Sequence, residues 1–124
     1  MMKKSIAIAA LAAVSVVDNV HAQADARRGE KLFEECAACH MLERNVEGVG
    51  PSLHGVFGRK AGSGGNFRYS PAMRRLDITW TPQLVEAYIA DPQKMVPANR
   101  MPYAGMPDAR DRADVILYMQ QVFK

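Results

Sequence analysis

The sequence predicts a small helical protein with a single domain. Three stretches, in the regions 25–35, 81–90 and 108–123, combine helical apolar spacing with helix start signals. The region 41–79 has no long periodic segment and is interrupted by glycine and proline, which indicates loops. A chain of 124 residues has room for one domain of ordinary size.

The amino terminus has the pattern of a secretory signal peptide. A basic start at Lys3 and Lys4 precedes an apolar run, and small residues follow near Ala22 and Ala24. We expect a signal peptide over residues 1–22, with cleavage after Ala22 or, as an alternative, after Ala24. The apolar run is shorter than the ~20 residues that a transmembrane helix needs, so no membrane insertion is expected.

The charge of the remaining chain, 23–124, is close to balanced. Loss of Lys3, Lys4 and Asp18 reduces 16 basic and 13 acidic residues to 14 and 12, a net charge of +2. This charge is too small to favour nucleic acid or an anionic membrane as a partner. We therefore expect no nucleic-acid binding.

The first predicted helix begins at Asp25, a favoured N-cap residue. Leu32, Phe33 and Cys36 then form an apolar face at helical spacing. Gly29 costs this helix about 1 kcal/mol relative to alanine, and close approach of another helix would explain it.

The only cysteines of the chain, Cys36 and Cys39, form a C-x-x-C-H motif with His40. This motif is the attachment signature of a c-type haem. In that chemistry the two thiols add across the porphyrin vinyl groups, and the histidine that follows ligates the iron. The sequence therefore predicts one haem c, bound covalently through Cys36 and Cys39.

Three other interpretations of the cysteines fit less well. A thioredoxin-like dithiol would need a preceding strand in a βαβ unit, which the flanking sequence lacks. A zinc site needs four ligands, and scattered histidines such as His40 and His54 would have to complete it. A disulfide across so short a loop would add little stability.

The long loop region is unusual for a small domain, and a haem is what these loops could wrap. Gly62-Ser63-Gly64-Gly65 lacks the Gly-Lys-Ser/Thr ending of a phosphate loop and is interpreted as a turn. Ser70-Pro71 is interpreted as a further loop signal.

The second helix begins at Thr81-Pro82, an N-cap followed by proline at the first helical position. Its apolar stripe stops before Pro92, and a loop rich in proline and methionine spans 96–107. The third helix covers Asp108 to Phe123. We expect its broad apolar face to include Ala113, Val115, Ile116, Leu117, Met119, Val122 and Phe123.

At this point the sequence resembles the class I c-type cytochromes, within the branch of mitochondrial cytochrome c and bacterial cytochrome c2. The resemblance extends over nearly the whole chain after residue 22. It rests on the motifs Cys36-Ala-Ala-Cys39-His40, Gly50-Pro51-Ser-Leu53-His-Gly55-Val-Phe57-Gly58-Arg59-Lys60, Tyr69, Ile78-Thr79-Trp80, Tyr88, Asp91-Pro92 and Arg100-Met101-Pro-Tyr103-Ala104-Gly105. It implies an all-α cytochrome c fold in which the terminal helices cross, with Gly29 and Phe33 near Tyr118 and loops wrapping one haem.

The resemblance also implies roles for individual residues. His40 is the expected proximal iron ligand, and Pro51 is expected to accept a hydrogen bond from its imidazole. Arg59, Tyr69 and Trp80 are expected to hold a buried haem propionate. The residues expected on the distal side are Tyr88, Asn99 and Met101.

Two methionines of the Pro-rich loop, Met101 and Met106, compete as the distal ligand. The Tyr-Ala-Gly sequence near Met101 matches the family pattern, which selects Met101 and leaves Met106 as the rival. His54 is expected to have a surface or core-edge role.

A haem with His and Met ligands has no open position for a substrate and suits one-electron transfer. The resemblance therefore implies a soluble, monomeric periplasmic carrier in a respiratory chain, and not an enzyme. Its partners would be redox complexes: a quinol-cytochrome c reductase and a terminal oxidase, reaction centre or dehydrogenase. The alternative is a haem subunit or partner of a dedicated periplasmic dehydrogenase or peroxidase-like enzyme.

Overall fold

The computed structural model describes residues 23–123, and the predicted signal peptide lies outside this range. Five helices follow one another in the described part of the chain: α1 (Ala26–Ala37), α2 (Pro71–Arg75), α3 (Pro82–Ala90), α4 (Pro92–Met95) and α5 (Ala109–Val122). The described residues contain no β-strand, only an isolated antiparallel bridge between Lys60 and Thr79. The predicted all-α class is confirmed.

Each of the three predicted helices, α1, α3 and α5, begins directly after the capping residue predicted for it. The carboxylate of Asp25 accepts from the backbone N–H groups of Arg27 and Arg28 at the start of α1. Thr81 caps α3 in the same way, and Asp108 caps α5. Each cap satisfies N–H groups that have no partner within the helix.

The sequence analysis missed two short helices. The interpretation of Ser70-Pro71 as a loop was wrong, because Ser70 caps α2 and accepts from the Met73 N–H at 3.1 Å. Asp91 likewise caps α4, with Pro92 at its first position. Both sites repeat the signal of Thr81-Pro82, a capping side chain followed by proline.

Helices α1 and α5 cross at Gly29. A Cβ atom at this position would overlap the backbone carbonyl of Asp114 and lie 3.1 Å from the Tyr118 Cβ. Next to this contact, the Phe33 ring lies 5.4 Å from the Tyr118 ring and 5.5 Å from the Phe123 ring, measured between centroids. The close helix approach predicted from Gly29 is confirmed.

The buried face of α5 differs from the predicted one. Val115, Ile116 and Met119 are buried as expected, but Val122 is 43% exposed. The side chain of Asp114 is 0% exposed. Its carboxylate accepts a hydrogen bond from the Asp25 N–H at 2.7 Å and forms an ion pair with the Arg28 guanidinium. A carboxylate paired in this way can occupy a position that the apolar pattern does not assign to the core. Ala113, also predicted on the apolar face, is exposed.

Candidate haem site

An apolar cavity lies between the carboxyl end of α1, the loops from Val49 to Ser70, helix α3 and the loop around Met101. The structure brings all ten predicted site residues to its walls: Cys36, Cys39, His40, Pro51, Arg59, Tyr69, Trp80, Tyr88, Asn99 and Met101. Apolar side chains fill the space between them, among them Phe33, Leu53, Val56, Met73, Val85 and Ile89. A large apolar cavity with a few converging polar groups is the expected form of a cofactor site.

The cysteines and the histidine share one turn at the end of α1. The backbone N–H groups of Cys39 and His40 both donate to the Cys36 carbonyl, each at 3.0 Å. Neither sulfur is in a disulfide, and burial together with the charge of Glu35 raises the pKa of Cys36 to about 11. Two free cysteines that line an apolar cavity fit thioether attachment. Among residues 23–123, no group of three or more His, Cys, Asp or Glu could hold a metal ion.

The His40 imidazole is fixed by the loop that follows it. Its Nδ1 lies 2.7 Å from the Pro51 carbonyl oxygen, which can only accept, so Nδ1 carries the proton. The ring packs against Gly50, where a Cβ would lie 2.6 Å from the His40 Cε1. Burial lowers the pKa of His40, although the hydrogen bond to Pro51 opposes this effect. A neutral imidazole held in this tautomer offers the Nε2 lone pair to a metal.

Met101 follows a turn that the Asn99 side chain stabilises. The Asn99 Oδ1 accepts from the Met101 N–H at 2.7 Å, and its Nδ2 donates to the Val96 carbonyl at 3.0 Å. Met106 is 5% exposed, packs in the core and does not line the cavity. Its backbone N–H donates to the Ile89 carbonyl at 2.8 Å. Of the two methionines in this loop, Met101 alone lines the cavity.

Arg59 supplies a positive charge at the wall of the cavity. Its guanidinium donates to the carbonyls of His54 at 3.1 Å and Ser52 at 3.0 Å. Among residues 23–123, no ion pair includes Arg59, so no carboxylate of this part of the chain balances its charge. A haem propionate is a carboxylate that would fit this place.

Tyr69 and Trp80 lie on the same wall. The Tyr69 hydroxyl accepts from the Gly64 N–H at 3.2 Å, and burial raises the pKa of Tyr69. Trp80 is buried against Tyr88, with ring centroids 5.3 Å apart, and burial raises the pKa of Tyr88 to about 12. Both tyrosines are therefore neutral donors at physiological pH.

Ser52 and Gly64 contribute to this site but were not predicted as site residues from the sequence. The buried hydroxyl of Ser52 donates to the Glu43 carbonyl and accepts from the His54 N–H. Gly64 lies so close to the polar wall that a Cβ there would be 3.0 Å from the Arg59 Cζ. Met73 is a buried apolar part of the wall. His54 does not line the cavity.

The fold and the cavity define a small helical protein that binds haem through a C-x-x-C-H turn. The sequence profile of the cytochrome c family matches residues 26–123, and the chain belongs to this family. Members of the family are electron carriers, and the cofactor of this chain is one covalently attached haem c.

Individual relatives agree with this assignment. The chain is 42% identical to cytochrome c2 of Rhodoblastus acidophilus over 98 residues, which are 78% of this chain and 92% of that protein. It is 39% identical to cytochrome c of Euglena viridis over 97 residues, 77% of this chain and 95% of the other. The solved structure of cytochrome cH from Methylobacterium extorquens superimposes with a TM-score of 0.73 at 40% identity, covering 78% of this chain and 98% of that one.

None of the helices between residues 23 and 123 is long and apolar enough to cross a lipid bilayer.

Proposed function

We propose that this chain is a soluble, periplasmic one-electron carrier whose haem iron is bound by the Nε2 of His40 and the sulfur of Met101. The observation that carries the proposal is that both side chains line one cavity, with the His40 ring hydrogen-bonded to the Pro51 carbonyl and the Met101 backbone N–H bonded to the Asn99 side chain. When bound, the haem supplies an Fe(II)/Fe(III) couple. If His40 and Met101 both held the iron, no coordination position would remain for oxygen or peroxide.

The residues around the cavity have distinct tasks in this carrier. Pro51 orients the His40 imidazole and increases its basicity through the hydrogen bond to Nδ1. Arg59 and Tyr69 offer positive charge and a hydroxyl donor to a propionate, which would otherwise be costly to bury. The apolar walls exclude water and so favour the less charged ferrous form.

The proposed location and partners rest on the signal-like sequence of residues 1–22 and on the cytochrome c2 relatives. After export, the carrier would act as a monomer. It would accept electrons from a quinol-cytochrome c reductase and pass them to a terminal oxidase, reaction centre or dehydrogenase. The alternative, a haem subunit or partner of a periplasmic dehydrogenase or peroxidase-like enzyme, would be favoured if the protein co-purified with such an enzyme.

The proposed docking face surrounds the mouth of the cavity and has mixed charge. Glu34, Glu35, Lys94 and Arg100 are all exposed, and Glu35 and Arg100 also line the cavity. Val49 lines the cavity and is 68% exposed, which adds apolar area to the same face. A partner with both charged and apolar contacts would fit this face better than a strongly acidic one.

The ligand assignment is tested by a matched pair of variants of the holoprotein, Met101→Leu and Met106→Leu. Both replace the sulfur while keeping the side-chain volume, so neither should unfold the protein. We expect Met101→Leu to abolish the weak near-infrared charge-transfer band of Met-ligated ferric haem and to lower the reduction potential. Met106→Leu should keep both, and the reverse pattern would show that Met106 is the ligand.

A further inference from the structure

A side-chain hydrogen bond joins the helix before the haem-attachment motif to the segment that carries Met101. The Tyr103 hydroxyl donates to the Glu35 Oε1 at 2.8 Å, across 68 residues of sequence. Glu35 belongs to the last turn of α1 and precedes Cys36, and Tyr103 follows Met101 by two positions. Both side chains line the cavity.

The Met101 segment, residues 99–105, has firm attachments at its two ends. The Asn99 side chain holds one end on the Val96 carbonyl, and beyond the other end the Met106 N–H bonds to Ile89 at 2.8 Å. Between these ends, the hydrogen bond from the Tyr103 N–H to the Met101 carbonyl is local.

Two side-chain hydrogen bonds connect residues between the ends of the segment to other parts of the protein. One runs from the Arg100 guanidinium to the Arg68 carbonyl at 2.8 Å, and the other from Tyr103 to Glu35. Among residues 23–123, the Tyr103 bond is the hydrogen bond that connects this segment to α1. Opening of the segment away from α1 must therefore break it.

The chemistry of the pair suits a lasting contact. The acceptor is a carboxylate, and hydrogen bonds to ionised groups are stronger than neutral ones. Burial, the hydrogen bond to Glu35 and the charge of Glu35 all raise the pKa of Tyr103, so its hydroxyl remains a donor at neutral pH. The ring is half-buried at the cavity, so its position is restricted as well.

We propose that the Tyr103–Glu35 hydrogen bond is a clasp that limits opening of the Met101 segment. Both residues are then positioning residues for the distal ligand, an inference that rests on the proposed ligation by Met101. Because the pair is partly exposed, its removal should raise the population of the open segment roughly three- to tenfold.

The test uses Tyr103→Phe, which keeps the ring and removes only the hydroxyl. Imidazole added to the ferric holoprotein binds once Met101 has left, so its apparent affinity increases in proportion to the open population. We expect an increase of roughly three- to tenfold in Tyr103→Phe and a similar one in Glu35→Ala. The double variant should show no further increase, because both changes remove the same bond.

Glu34→Ala is the matched control, since it removes an equal charge from the neighbouring residue. Its imidazole affinity should equal that of the wild type. The clasp is refuted if Tyr103→Phe behaves like the wild type, if Glu34→Ala matches Glu35→Ala, or if the effects of Tyr103→Phe and Glu35→Ala add.

Amide hydrogen exchange separates a failure of the clasp from a failure of the proposed ligand. In Tyr103→Phe, exchange of the Met101 and Tyr103 amides should accelerate by the same factor as the imidazole affinity, while amides of α5 keep their rates. This measurement reports segment opening whichever side chain binds the iron. Unchanged exchange at both amides would refute the clasp even if Met101→Leu had confirmed the ligand.

Discussion

The crossed helices α1 and α5 and the walls of the haem cavity are stabilised in different ways. Between the helices, protein groups contact one another directly: Gly29 lies against the Asp114 carbonyl, and Phe33 packs between two aromatic rings. The cavity walls instead present apolar atoms and the charge of Arg59, which has no carboxylate partner among residues 23–123, to the space proposed for the haem. The contact at Gly29 is complete within the polypeptide, whereas the cavity walls, to which Phe33 also belongs, depend on their cofactor for packing and charge balance.

The helix crossing and the cavity wall also differ in how far their contacting atoms can move. At the helix crossing the nearest atoms belong to the backbone, so a change there must move a whole helix. At the cavity wall the atoms nearest to Gly64 are the ends of the Arg59 and Tyr69 side chains, which can shift more easily than a backbone carbonyl can. We therefore expect equal changes in volume to have unequal effects on stability in the two regions.

The largest expected effect comes from adding one methyl group to each region, with Gly29→Ala and Gly64→Ala. At Gly29 the methyl would overlap the Asp114 carbonyl, and we expect a net loss of about 2–3 kcal/mol despite the better helix propensity of alanine. At Gly64 the new Cβ would lie 2.6 Å from the Tyr69 hydroxyl and 3.0 Å from the Arg59 Cζ, which are movable ends. The loss there should stay below about 1 kcal/mol.

Denaturant unfolding of the two ferric holoproteins measures this difference, since both retain the cofactor. A greater loss of unfolding free energy in Gly64→Ala than in Gly29→Ala would contradict the contrast between the regions.

A smaller effect is expected from the buried carboxylate of the helix pair. Burial raises the pKa of Asp114, but the hydrogen bonds from the Asp25 N–H and the Arg28 guanidinium outweigh it, so the folded pKa lies below the usual value of about 3.9. The carboxylate therefore stabilises the fold fully above that value, and this stabilisation is lost as the pH falls through the folded pKa. At neutral pH, Asp114→Asn should cost about 1–2 kcal/mol, since Arg28 is exposed enough to regain water.

The pH dependence distinguishes this carboxylate from an ordinary packing contact. The difference in unfolding free energy between the wild type and Asp114→Asn should narrow below about pH 4. Asp111→Asn is the control, because Asp111 pairs with the same Arg28 but is more exposed, and its effect should be smaller. A difference for Asp114→Asn that stays constant from pH 7 to pH 3 would show that its charge has no role.

The sequence predicted the elements whose signals are local. Asp25, Thr81 and Asp108 are capping residues that lie directly before their helices, so the sequence indicates where each helix begins. Gly29 indicated the close approach of another helix. The cavity residues were found because the C-x-x-C-H motif led to a family resemblance that places each of them.

Short helices and distant polar pairs gave no such signal. Helices α2 and α4 are too short for a period of 3.6 residues to appear. Asp114 reads as a solvent-facing residue, because the partner that permits its burial, Arg28, is 86 residues away in the sequence. The pairing of Glu35 with Tyr103 was hidden for the same reason, since 68 residues of sequence separate them.

The smallest expected effect concerns the charges around the mouth of the cavity. Glu34 and Glu35 face solvent near Cys36, while Lys94 and Arg100 supply positive charge. Charges of opposite sign on one face partly cancel at long range, so salt has only a weak electrostatic field to screen. Electron-transfer rates with the natural partner should therefore fall by no more than roughly threefold between low and physiological ionic strength.

Glu34→Lys tests this expectation most directly, because it makes the face more positive and leaves the Tyr103–Glu35 pair in place. With an acidic partner, this variant should make the electron-transfer rate depend more steeply on salt. A steep loss of rate in the wild type, equal to that of a lysine-ringed cytochrome assayed alongside, would show that the positive residues control docking and that the two glutamates are only solvated.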